Sequence, residues 1–108
     1  MGSEYLSFQT YRPFFDGIDY PFWKHKMKLY LDSDPIWLWD VILDGWNPPI
    51  ERVEGVEVLE NRGRWSKEEK EENLENKRVM TILIAFMSRE EGGKLQHCIS
   101  AKEMWETL

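Results

Sequence analysis

The segment from Ile36 to Leu43 constrains the fold most, because it is apolar at every position except Asp40. The residues before it predict a helix start, since Asp34 is a favoured N-cap and Pro35 suits the first helical turn. Gly45 supplies a C-terminal stop. A helix that is apolar nearly all round is buried on more than one side. We therefore expect this helix to be enclosed, within the fold or against a partner.

A preceding helix is predicted from Pro21 to Leu31. Trp23, Met27 and Leu31 recur every four residues along it, and with Tyr30 they form one apolar stripe. Proline suits the first turn of this helix because its missing N–H would be unpaired there. One face of the helix is therefore expected to pack on the core.

The longest predicted helix changes character along its length. Ser66 and Glu69 form a capping-box pattern at its start. Its first half, to Lys77, is almost entirely charged, whereas the stretch from Val79 to Met87 is apolar except for Thr81. We expect this helix to begin in solvent and to end as the central rod of the core.

Two further capping-box patterns follow, at Ser88–Glu91 and Ser100–Glu103. Gly92-Gly93 predicts that the helix after the first of them, through Ile99, is weak or short. The last helix carries Trp105 on its apolar face. The sequence ends inside this helix without a C-cap, which predicts a cut through a longer protein.

The stretch from Trp46 to Arg64 predicts a long connector between the second and third helices, because Pro48-Pro49 and Gly55 interrupt it. Alternation at Val56 and Val58 would allow a brief strand, but no neighbouring segment offers a partner strand. Connectors of this length in small domains are often mobile or form contact surfaces.

Together these elements predict an all-α fold, a small bundle of about five helices in one domain of residues 13–108. Residues 1–12 are rich in aromatic side chains and predict an arm laid over the core; residues 1–3 are typical of a cloning remnant. Asp16-Gly17 would also permit a short hairpin from Phe14 to Tyr20.

Composition limits which partners and which cellular compartment we expect for this chain. Fourteen basic residues against twenty acidic ones give a net charge of −6, which disfavours nonspecific binding to nucleic acid. The longest apolar stretch is about half of the roughly 20 residues that a membrane span needs. The single Cys98 cannot form an internal disulfide, and no secretion signal is present. We expect a cytoplasmic protein that contacts neither nucleic acid nor a membrane.

Residues that could carry chemistry are few. Asp40 and Asp44 share a helix face, but no His or third acid is spaced to join them. His97-Cys98 lacks the further ligands that a zinc site requires. No glycine-rich phosphate loop is present. The sequence predicts no catalytic residue, no metal site and no cofactor, and hence a protein that is not an enzyme.

Four blocks of the sequence follow one another in a distinctive order. Residues 13–23 are Pro-Phe-Phe-Asp-Gly-Ile-Asp-Tyr-Pro-Phe-Trp, followed by Met27 and Leu31. The later blocks are Leu38–Ile42 with Gly45 and Pro48, then Trp65 with the helix through Ile82, Leu83 and Phe86, and finally Ser100–Leu108. In this order they resemble the opening of Gag polyproteins from copia-type LTR retrotransposons.

The resemblance implies a helical capsid segment, roughly the amino-terminal capsid lobe, that self-associates into particles. The RNA-binding zinc knuckle of such proteins lies further along and is not in this sequence. The motif positions are expected to form the core: Trp23, Met27, Leu31, Trp39, Ile42, Ile82, Phe86 and Trp105. Trp37 and Trp46 lie outside the motif, and for them core and interface are about equally expected.

Two functions are therefore compared. The first is a structural domain of a Gag-type protein whose partner is another copy of itself. The alternative is a host-retained or fused module that binds another protein or peptide in an apolar groove beside the second helix. The candidate contact residues are Trp37, Val41, Trp46, Tyr11 and Phe15.

Overall fold

The computed structural model describes residues 14–33 and 37–108. Within these ranges the chain is mostly helical, with five α-helices: α1 (Tyr20–Ser33), α2 (Trp37–Asp44), α3 (Lys67–Ala85), α4 (Arg89–Gly93) and α5 (Ala101–Thr107). The predicted number of helices is confirmed in this part of the chain. No helix among the described residues is long and apolar enough to cross a membrane. The predicted arm of residues 1–12 and the predicted cap Asp34-Pro35 lie outside the described residues.

The predicted all-α class was wrong in the connector, which contains a β-hairpin. Strand β1 (Ile50–Val53) pairs antiparallel with β2 (Val56–Leu59), and Val53 lies opposite Val56. The two turn residues, Glu54 and Gly55, have φ values of 53° and 81°, as in the type I′ turn that suits the twist of a hairpin. Sequence patterning missed β1 because its residues do not alternate between apolar and polar. A short 3-10 helix (Arg62–Arg64) follows the hairpin.

Helix α2 lies at the centre of the fold. It packs against α1, α3 and α5, but Leu43 is 55% exposed, so the expectation of burial on more than one side holds only in part. Leu38 and Ile42 are its buried residues. The helix ends at Gly45, whose φ of +74° and close approach to the Lys102 side chain exclude an unstrained larger residue.

Helix α3 begins with the predicted capping box. The Ser66 hydroxyl accepts a hydrogen bond from the Glu69 N–H, and the Glu69 carboxylate accepts one from the Ser66 N–H. Val79 and Leu83 are fully buried, whereas Ile84 is exposed. The expectation of a central rod was therefore too broad, because α2 and α5 pack against α3 and leave its other side in solvent.

The segment before α1 is attached to the end of α3. The Phe15 N–H donates to the Phe86 carbonyl at 2.7 Å, and the Ser88 N–H donates to the Phe15 carbonyl at 2.7 Å. This isolated parallel bridge joins Phe15 to Met87 and buries the Phe15 side chain. The alternative hairpin from Phe14 to Tyr20 is not formed. The bend instead places the Asp16 carboxylate 3.0 Å from the Ile18 N–H.

The start of α5 is held by a buried asparagine on α3. Asn76 is 1% exposed; its Oδ1 accepts a hydrogen bond from the Ala101 N–H at 2.9 Å, and its Nδ2 donates to the Ile99 carbonyl at 3.1 Å. The Ser100 hydroxyl caps α5 by accepting a hydrogen bond from the Glu103 N–H. The second hydrogen bond differs from the one that the capping box predicts, because the Glu103 carboxylate accepts from the Ile99 N–H. Helix α4, as predicted, is short.

We expect Asn76→Ala to lower the free energy of unfolding by about 2–3 kcal/mol, because it leaves two buried backbone groups without partners. Urea denaturation followed by circular dichroism measures this change. The neighbouring exposed residue supplies the control: Glu75→Ala should change stability by less than about 0.5 kcal/mol. Equal stability of the two variants would contradict the assigned role of Asn76.

Candidate protein-contact surface

The motif positions of the sequence lie in or against the core. Trp23, Met27, Leu31, Ile42 and Phe86 are buried, and Trp39, Ile82 and Trp105 are partly buried and pack against them. The Trp39 and Trp105 rings meet edge to face at 5.2 Å, and Trp23 lies 6.3 Å from Trp105. The Lys24 ammonium covers this cluster, donating to the Trp105 carbonyl at 3.1 Å. These residues have a packing role.

Of the predicted contact residues, the structure brings Val41 and Trp46 together beside α2, where both line one cleft. Phe15 is 5% exposed and packs on Trp23 at 4.9 Å between ring centroids, so its ring belongs to the core. Val41 is half-buried and lines an acidic cleft. Tyr11 and the side chain of Trp37 lie outside the described residues.

Val41 lines a small acidic cleft of about 330 Å³. Its polar walls are Asp40 and Asp44 of α2 with Glu72 and Glu75 of α3. The four carboxylates are not offset by any Lys or Arg in the described lining of the cleft. Such a cleft repels acidic partners and offers little apolar area.

Trp46, the remaining candidate, contributes to an aromatic groove at the base of the hairpin. Its ring meets that of Trp65 edge to face at 6.4 Å, and the groove has a volume of about 740 Å³. Leu59 and Ile99 add apolar walls, and Arg62 lies over the Trp65 ring at 5.3 Å. The Trp65 indole N–H is satisfied by the Glu60 carbonyl at 3.1 Å. Trp65 was not among the predicted contact residues, although it belongs to the third of the four sequence blocks.

Two apolar surfaces were not predicted. The first, the outer face of α1, carries Phe22 and Leu29, which are 52% and 58% exposed. These residues are seven positions apart and therefore share a face, on the side away from Trp23 and Met27. The spacing was visible in the sequence, but the stronger core stripe of the same helix obscured it.

The second surface is the hairpin itself. Its exposed apolar side chains are Ile50, Val53, Val56, Val58 and Leu59. Leu59 is 69% exposed and Val56 is 60% exposed. The two strands pack chiefly on each other, so the helices cover little of this surface.

A possible ligand cluster lies at the start of α5. His97, Cys98 and Glu103 place one ligand atom each within 4.8 Å of one another, the one such group among residues 14–33 and 37–108. Burial raises the pKa of the Cys98 thiol, with a smaller increase from the nearby Glu103 charge, and this opposes the thiolate that binds metals. The Glu103 carboxylate is already bonded to the Ile99 N–H. The hydrogen bonds at the start of α5 therefore account for the closeness of these three side chains.

No protein-family model, curated protein or solved structure matches this chain. The resemblance to copia-type Gag segments therefore rests on the four sequence blocks alone. Because the eight predicted core positions of these blocks lie in or against the core, packing accounts for their pattern whatever the chain does.

We expect the Cys98 thiol to react with a disulfide reagent at least about tenfold more slowly in the folded chain than in urea, because it is 6% exposed and its pKa is raised. The folded-state rate should increase as the pH rises through the ordinary thiol range, because the thiolate then becomes populated. Absorbance of the released thiolate measures the rate. Equal rates in the two states at pH 7 would contradict the buried thiol.

Proposed function

We propose that this chain is an assembly domain of the copia-type Gag kind, whose copies contact one another in capsid-like particles. The observation that carries the proposal is the presence of two exposed apolar surfaces on different elements, the outer face of α1 and the hairpin. The order of the four sequence blocks supports the same assignment. The proposed role is structural and requires no catalytic residue, metal or cofactor.

Two surfaces matter because of the geometry of assembly. A single self-complementary patch produces a closed dimer, whereas extended or shell-like assemblies need at least two contacts per copy. Isolated exposed apolar residues are ordinary on protein surfaces, but a two-stranded hairpin with five of them is not. The second copy is therefore the partner that we favour.

Charge sets the conditions for this association. The net charge of −6 and the acidic cleft make copies repel one another. Salt screens that repulsion while leaving apolar contacts intact. Association through the proposed surfaces should therefore strengthen as the ionic strength rises.

A recognition module is the second candidate, and the aromatic groove favours it. Trp46 and Trp65 form an open groove large enough for a short peptide, and aromatic side chains dominate the energetics of such contacts. A host-retained or fused domain would use this groove as a monomer and bind another protein.

The deciding measurement is the solution mass by light scattering across a wide concentration range, at low and high salt. We expect the mass to rise with concentration, and more steeply at high salt. Leu29→Lys should reduce this rise because it places a charge on the outer face of α1. Leu74→Lys is the matched control, since Leu74 is 56% exposed within the charged half of α3.

A monomer at every concentration and both salt conditions would contradict assembly by this segment. The recognition module would then be the better assignment. Equal loss of association in the Leu29 and Leu74 variants would instead show that charge alone, and not the face of α1, controls the mass.

A further inference from the structure

We propose that two copies of this chain pair through the free edge of β2, forming a four-stranded antiparallel sheet with Val58 at the two-fold axis. The inference rests on the proposed assembly function, for which it names the contact surface and the partner.

The hairpin has too few strands to be stable by itself. A two-stranded hairpin is only marginally stable in water, and three or more strands or a packed face are needed for independent stability. Cross-strand register places Val53, Val56 and Val58 on one face, and Ile50 and Leu59 on the other. All five side chains are exposed. Additional strands would supply backbone hydrogen bonds and cross-strand side-chain contacts that the isolated hairpin lacks.

The backbone direction of each residue follows from two observations. The Glu60 N–H donates to the Pro49 carbonyl at 2.9 Å, and a two-residue turn joins Val53 to Val56. Inward-facing and outward-facing residues alternate in an antiparallel pair. The residues with backbone groups on the outer edge are therefore Ile50 and Arg52 in β1, and Glu57 and Leu59 in β2.

The outer edge of β1 is a poor surface for pairing with a second copy. Two-fold antiparallel pairing must match outward residues with outward residues. On β1, pairing centred on Glu51 or on Arg52 places that residue opposite its own copy, and pairing centred on Ile50 places Arg52 opposite Pro48 of the second copy. Like charges directly opposite each other destabilise a sheet. Pro48, the next outward position, also has no N–H to donate.

The outer edge of β2 avoids these conflicts. Pairing Glu57 with Leu59 of the second copy places Val58 opposite Val58, and no two like charges then lie directly opposite. Ion pairs within the chain offset charges on both edges, Arg52–Glu57 at 3.4 Å and Glu51–Arg64 at 3.2 Å. The register and Pro48 therefore distinguish the two edges. Strand β2 has no proline, lysine or bulge to protect its edge, and its protection is limited to the charge of Glu57 and its length of four residues.

The pairing also extends an apolar face. Val53, Val56 and Val58 of each copy would lie on the same side of the four-stranded sheet. The joint between two four-residue strands is smaller than the roughly 1,200–2,000 Å² of stable specific interfaces. We therefore expect a weak, reversible contact, which suits assemblies in which many weak contacts act together.

Proline substitution tests which of the two edges forms the contact. Leu59→Pro removes an outward N–H of β2 and leaves the bonds between β1 and β2 intact. Ile50→Pro is the matched control: Ile50 lies directly opposite Leu59, so an apolar side chain is lost from the same face but at the other edge. We expect the concentration for association to rise at least tenfold in Leu59→Pro, and to change less than twofold in Ile50→Pro, as measured by light scattering.

Disulfide trapping tests the register directly and does not depend on tolerance of proline. Directly opposite residues have Cβ atoms about 4.5–5.5 Å apart, near disulfide range. In a Cys98→Ala background, Val58→Cys should form a covalent dimer on mild oxidation. Glu57→Cys should not, because its counterpart in the second copy is Leu59.

The outcomes separate this inference from the proposed function. If the wild-type chain associates but Leu59→Pro associates equally, or if Glu57→Cys cross-links as well as Val58→Cys, the β2 contact is wrong while assembly remains. If the wild-type chain stays monomeric at every concentration, the proposed assembly function fails and β2 pairing fails with it. Selective loss in Leu59→Pro, together with selective trapping at Val58, supports both.

Discussion

The hydrogen bonds of Asn76 fix the arrangement on which the rest of the fold depends. Both polar atoms of this buried side chain bind backbone groups at the start of α5, and this anchors α5 against α3. The anchored helix then buries Ala101 and Met104 and brings Trp105 against the aromatic rings of α1 and α2. A buried amide with both groups satisfied gives direction to a contact that apolar packing alone would leave adjustable.

This arrangement concentrates the core on one side of α3 and leaves other surfaces uncovered. Helix α2 packs against three neighbours, whereas α1 keeps Phe22 and Leu29 in solvent and the hairpin packs chiefly on itself. Seven of the thirteen exposed large apolar residues in the described part of the chain lie on α1 and the hairpin, and the other six are spread over other parts of the fold. Their distribution, more than any cleft, underlies the proposed contact between copies.

The sequence predicted the parts of the fold that depend on local signals and strong periodicity. The capping box at Ser66, the helix stop at Gly45 and the stripe of α1 each have a mechanism within one or two turns. The hairpin was missed because both of its faces are exposed, so burial imposed no alternation on β1. Phe15 was placed on the surface because the bridge to Met87 joins residues far apart in the chain. Trp46 was a candidate, but its partner Trp65 depends on the course of the hairpin.

The two candidate functions meet at Leu59, yet they use different parts of it. Its side chain lines the aromatic groove with Trp46 and Trp65, whereas its outward N–H and C=O lie on the free edge of β2. Pairing of β2 edges would extend the sheet in its plane, and the groove opens at the base of the hairpin. In a copy paired through β2, Glu57 of the second copy would lie directly opposite Leu59 and so border the groove. The two proposed functions would therefore meet at Leu59, since a shift of β2 on pairing would move a wall of the groove.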